Sequence, residues 1–331
     1  FAEENVQPEP VLANSFNTVT YTGNGSTQAI TGVGFEPDLV WMKSRSAARS
    51  NALVDSVRGR ANIVWSDLTD ASANSGTNND LVSFDSDGFT VGITQNAGST
   101  NANGDTIVAW CWKASNDSTI NQDGSISSIV SANPAAGFSV VSTQSDGSGY
   151  LNFGHGLSQA PELVITKFTG QTGEWYTYTS AISNGFDVAL KLNSLDAAIT
   201  AYGTNKWSAT STVVAIGNPQ WYFTANIPFI TYCFTSISGY QKVGSYSGGT
   251  SGYEVTLDFT PRFVMIKNAT NAGGWVIVDS QRGSNELYPH ISNAEDTTTT
   301  NVILGTNKFT LNTTGSWYNA SGSTYIYLAI A

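Results

Sequence analysis

The chain has 331 residues, of which 12% are charged, 40% hydrophobic and 11% aromatic, and it carries a formal net charge of −11. So little charge disfavours a helical enzyme, whose surface helices are usually laced with ion pairs. The acidic balance has no basic cluster to offset it and argues against nucleic acid and anionic membrane as partners, and no apolar run approaches the roughly 18 residues of a membrane-spanning helix.

Residues 1–15, with Glu3, Glu4, Pro8, Glu9 and Pro10, lack strand periodicity and are expected as an extended N-terminal arm. Three copies of one pattern follow. Each is anchored by a proline leading into an apolar strand that ends in lysine: Pro37 to Lys43, Pro161 to Lys167 and Pro261 to Lys267. Copies one and three share Asp-Ser-x-Arg-Gly 18 residues after the proline, at Asp55–Gly59 and Asp279–Gly283. Each copy closes with an aromatic strand, at 106–112, 229–234 and 324–330.

These landmarks place repeats at 16–114, 137–236 and 240–331, with 115–136 as a linker and Ser236–Gly239 as a short join. Apolar runs of five to eight residues, rich in β-branched and aromatic side chains and bounded by Gly, Asn, Asp or Pro, predict strands. Asp85-Ser-Asp-Gly88 and Asn103-Gly104 read as turns, and only short stretches near 47–51, 193–199 and 291–295 hint at helical turns. The expected fold class is all-β: three tandem antiparallel β-sandwich domains of jelly-roll type, each enclosing its own core.

Chemistry-bearing patterns are sparse. Cys111 and Cys233 sit at equivalent places in closing strands, too far apart to form a disulfide, and read as buried thiols. His155 and His290, the two histidines, have no nucleophile elbow beside them. Glu162, Glu174, Glu254, Glu286 and Glu295 share no spacing that would pair them for glycoside hydrolysis. Asp85 and Asp87 belong to a turn and lack the closing glutamate of a calcium loop. No catalytic, metal or cofactor residue is therefore assigned.

The repeated polar unit Lys43, Asp55, Arg58 and Lys267, Asp279, Arg282 reads as an internal ion pair rather than a ligand site, since copy two lacks it and has Trp175–Tyr178 there. Trp41, Trp110 and Trp112 alternate in strands and are expected in the core or a subunit interface. Trp207, Trp221, Trp275 and Trp317 lie nearer loops and are the candidate ligand-contacting aromatics, through stacking on sugar rings.

In their combined order Tyr21-Thr-Gly-Asn-Gly-Ser26, Gly34-Phe-Glu-Pro-Asp-Leu-Val-Trp-Met-Lys43, Asp55-Ser-Val-Arg-Gly59, Phe84-Asp-Ser-Asp-Gly-Phe89 and Val108-Ala-Trp-Cys-Trp-Lys113 resemble a domain of uncharacterised function in tail-fibre-like and other surface proteins of marine tailed phages. The resemblance runs over about residues 16–331. It implies a non-enzymatic structural or adhesive protein of the virion surface, a tail-fibre or capsid-attached fibre subunit. The expected partners are further copies of itself, neighbouring virion proteins and a host-surface glycan. The alternative is a tandem carbohydrate-binding adhesin of a cell or extracellular surface. A chain that begins at Phe1 and ends directly after a strand is expected to be a piece of a longer protein.

Overall fold

The computed structural model describes residues 15–94, 100–182, 188–200, 207–217 and 224–331. Trp221 and, apart from Ser15, the expected arm at 1–15 lie outside the described residues. Within them the protein is all-β, with every ladder between named strands antiparallel.

The lysine strands Leu39–Ser44, Leu163–Phe168 and Phe263–Asn268 set the pattern, because every one of their residues is buried. Leu39, Trp41 and Lys43 face one way and Val40 and Met42 the other, so the strand is apolar on both faces and needs a layer on each side. Each lies between a following strand and the closing strand in one shared register: Val40 opposite Cys111, Val164 opposite Cys233 and Val264 opposite Ala329. The residue after each anchor proline donates its amide to the end of the closing strand, Asp38 to Trp112, Glu162 to Phe234 and Arg262 to Ile330, at 2.7–2.8 Å. Proline has no donor of its own, and so stands just outside the ladder.

Each repeat pairs a larger sheet with a three-stranded one. In repeat one Phe16–Thr22, the closing strand Thr106–Trp112, the lysine strand, Ala52–Asp55 and Asn62–Trp65 run side by side, and Gln28–Thr31, Gly88–Val91 and Leu81–Asp85 cover one face. The same order recurs around Phe138–Asp146 and Ala225–Phe234, and around Gln241–Ser247 and Thr324–Ile330. Three clusters of buried side chains fill the space within the three pairs.

One expectation is corrected. The stretch 115–136 is not a plain linker, because Thr119–Asn121 and Ser128–Asn133 extend the larger sheet of repeat two. Its Asn133-Pro134 is the hairpin turn into Phe138, held by the Asn133 side chain accepting from the Ala136 amide and closed by Gly137 at a φ of 68°. A Cβ on Gly137 would stand 2.5 Å from the Thr235 carbonyl, so only glycine fits there.

Each repeat thus encloses the core expected of it, and the repeats are joined by a further one. A fourth cluster collects the outward face of all three larger sheets, including Trp41, Trp110, Ile165, Tyr232, Met265 and Leu328. Trp112 is its hub, with ring centroids 4.9 Å from Phe16, 6.2 Å from Phe138, 6.3 Å from Phe234 and 5.8 Å from Phe263, reaching all three repeats. Burying each such side chain contributes on the order of 1.5–3 kcal/mol.

Candidate functional site

Around this shared core the repeats close on one another through three equivalent seams. Gly173 and Ser72 donate their amides to the carbonyls of Thr69 and Thr169; Gly273 and Ala198 do the same to Leu195 and Ala269, and Arg49 and Glu295 to Ser292 and Arg45, all at 2.8–2.9 Å. The stretches near 47–51, 193–199 and 291–295, where helical turns were hinted at, are loops of these seams, except that Ile199 begins the strand Ile199–Thr200.

Each lysine strand sends its ammonium across a seam. Lys43 reaches Ile291 O at 3.2 Å, Lys167 reaches Thr69 O at 3.1 Å and Lys267 reaches Ser194 O at 3.4 Å. Burial lowers all three to about 8. Beside them Trp175 and Trp275 donate their indole N–H groups to the carbonyls of Trp65 and Lys191, and the Asn51 amide does the same to Pro289.

Asp55 and Arg58 pair at 2.6 Å and Asp279 and Arg282 at 2.7 Å, all four side chains being almost fully enclosed. The same carboxylate oxygen that meets the arginine, Oδ2, also accepts from a neighbouring repeat: from Tyr232 Oη to Asp55 at 3.0 Å and from Trp110 Nε1 to Asp279 at 2.8 Å. By register the counterpart in copy two is Thr179, one residue past the Trp175–Tyr178 stretch, and the matching donor position in copy three is Leu328. Carboxylate and donor are absent together from that seam. The unit thus joins repeats, a role that spacing within one repeat does not reveal.

The loop tryptophans separate sharply. Trp207 is 1% exposed and packs with Tyr178 inside repeat two, and Trp275 is 1% exposed at the seam just described, so neither offers a face to a ligand. An aromatic flanked by polar residues looks the same in sequence whether it points into or out of the sheet. Trp317 alone of the described three is half-buried and borders a groove of about 530 Å³.

That groove lies on the seam of repeats three and one, between Trp317, Tyr288 and Asp296 on one side and Ala48 on the other. Trp317 meets Tyr288 and His290 edge to face, at 5.7 and 5.5 Å. Beneath it is Gly274, where a Cβ would come within 2.5 Å of both Trp317 and His290. Asp296 accepts at Oδ1 from the Thr298 amide and hydroxyl at 2.8 and 2.7 Å and at Oδ2 from the Thr299 hydroxyl at 3.0 Å and the Tyr288 hydroxyl at 3.4 Å, and the threonine hydrogen bonds hold its carboxyl below the usual range. Glu295, paired with Arg45 at 2.9 Å and Arg282 at 2.6 Å, ties the rim to the Asp279–Trp110 connection in the core.

Asp296 was not singled out by sequence. Reciprocal backbone hydrogen bonds of 3.0 and 2.9 Å bring it beside Glu286, giving the adjacent carboxylates that spacing alone did not show. Glu286 is nevertheless enclosed, with Oε1 accepting from the Asn301 amide and Oε2 from Tyr318 and Tyr288, and burial raises its pKa. With both oxygens engaged in the protein, it acts as a clamp for the two tyrosines.

The histidines have structural partners. His155 accepts from Leu157 N at Nδ1 and donates from Nε2 to Thr210 O. His290 Nδ1 accepts the Trp275 amide at 3.2 Å, as Asn193 does for Trp175 and Asp67 for Asn51. Both thiols are buried, which raises them, Cys233 to about 12. Asp87 accepts from the amides of Gly32 and Gly34, and Asp85 from the Thr90 hydroxyl, which accounts for the acidic turn without a cation.

The fold and site thus define an all-β protein of three sheet pairs closed around a shared core, with an aromatic groove on the seam of repeats three and one. The chain belongs to the family described as Domain of unknown function (DUF7483), which matches residues 12–331. The match runs through all three repeats. No curated protein matches the chain.

Proposed function

We propose that the protein is a non-enzymatic structural and adhesive component of a phage virion surface, a tail-fibre or capsid-attached fibre subunit that assembles with itself and neighbouring virion proteins and contacts a host surface. The observation that carries this reading is the mutual bracing of the repeats. Their largest aromatics and their buried charges are directed at one another, as suits a rigid scaffold that must survive dilution and proteases outside a cell. The sequence resemblance to phage surface proteins supports the same reading. Immunogold electron microscopy of phage particles encoding the chain is the test. Label on the particle is the expected result, and label confined to the interior of infected cells would refute it.

The Trp317 groove favours a second reading, a carbohydrate-binding adhesin of a cell or extracellular surface. Label on uninfected producing cells, with none on particles, would select it.

A further inference from the structure

Three copies of one fold provide an internal comparison. Where all three agree, as at the lysines and the seam amides, the residues serve folding. The groove is a departure confined to repeat three. The turn position that accepts the amide is Asp67 in repeat one, Asn193 in repeat two and His290 in repeat three. The imidazole puts a ring where the other copies have a small polar group. Trp275 has its counterpart in Trp175, and the next residue is Glu174 on one side of Trp175 but Gly274 before Trp275, the one substitution that leaves room for the Trp317 indole. Trp317, His290 and Gly274 therefore form a matched set that holds an indole at the edge of a groove, and the shared fold requires of it only the amide bond that His290 accepts.

The chemistry of the groove narrows its ligand. Its volume falls in the range of about 300–1,000 Å³ typical of small-ligand clefts. A half-buried indole offers a face for C–H groups, and on the half-buried Asp296 carboxylate Oδ1 is taken by Thr298, whereas Oδ2 accepts from Thr299 at 3.0 Å and only distantly from Tyr288 at 3.4 Å, which leaves Oδ2 as the oxygen to accept a hydroxyl proton. Glu295 adds a second carboxylate to the rim, although Arg45 and Arg282 neutralise it. We infer that the groove between repeats three and one binds an uncharged pyranose sugar, with Trp317 stacking on the ring and Asp296 accepting from its hydroxyls, and that it disfavours uronic acids. The inference rests on the host-contact reading only for its biological setting.

Isothermal titration of the whole chain with cellotriose, mannotriose, chitotriose and trigalacturonate tests it. Binding of at least one of the three uncharged sugars is expected, with trigalacturonate weaker. Trp317→Ala should weaken the bound sugar about tenfold or more, the loss of one aromatic stacking contact. Asp296→Asn should weaken it as well, while Trp317→Phe should retain part of the affinity. Thermal melts of each variant separate a lost contact from a lost fold. Absence of heat with all four sugars, a preference for trigalacturonate, or equal affinity in folded Trp317→Ala would each overturn the inference. The particle-labelling result is independent, so a virion protein without a sugar site is distinguishable from a sugar-binding protein that is not on the virion.

Discussion

At the scale of single residues, His290 shows how one position serves fold and surface together. Its Nδ1 must stay unprotonated to accept the Trp275 amide, and burial, helped by the nearby charges of Lys267 and Lys43, lowers it to about 4. The unfolded histidine titrates near its ordinary 6.5. Between those values the unfolded chain binds more protons, so stability is full above pH 6.5 and declines as pH falls toward 4. His155, also lowered by burial, adds in the same direction. The melting temperature should therefore fall across this window, and His290→Asn, which borrows the role of Asn193, should flatten part of the fall. A melting temperature independent of pH there would contradict this account. Gly274→Ala should lose about 1–3 kcal/mol in urea unfolding through overpacking against Trp317 and His290.

At the scale of elements, the lysine strands make a prediction of the same sign in an alkaline window. Each ammonium is lowered from 10.5 to about 8 in the folded protein, so between those values the unfolded chain holds more protons and stability rises with pH. The rise slackens near pH 9 and ends near pH 10, where first the unfolded cysteines and then the unfolded tyrosines ionise, while burial raises Cys111, Cys233, Tyr21, Tyr232 and Tyr246 in the folded state. Urea midpoints measured from pH 7.5 to 9 should climb, and Lys167→Met should reduce the climb.

The seam carboxylates give a second test at this scale. Removing Asp55 or Asp279 strands a buried arginine and should cost about 3–5 kcal/mol, whereas Thr179→Ala at the matching place should cost under about 1 kcal/mol. Similar losses at all three positions would mean that the ion pairs do not join the repeats as described.

At the scale of the whole molecule, the repeat was readable because the lysine strand recurs at constant distance from proline and keeps one register with the closing strand. What covers the second face of that strand was not readable. Leu39 and Trp41 alternate with Val40 and Met42, and the pattern is the same whether the outer face meets a sibling repeat or another subunit. The seams were hidden for a related reason: they join main-chain groups roughly 70 to 250 residues apart, and carbonyls carry no residue identity. Of the candidate site, Trp317 was visible as an aromatic near a loop, whereas Gly274, His290 and Asp296 acquire meaning only when the three copies are superposed by their hydrogen bonds.

A shared core makes the three repeats one cooperative unit, since releasing any one uncovers Trp112 and the faces of the other two sheets. Differential scanning calorimetry of the intact chain tests this most directly. One transition with equal calorimetric and van't Hoff enthalpies is the predicted result; separate transitions, each carrying about a third of the heat, would contradict it.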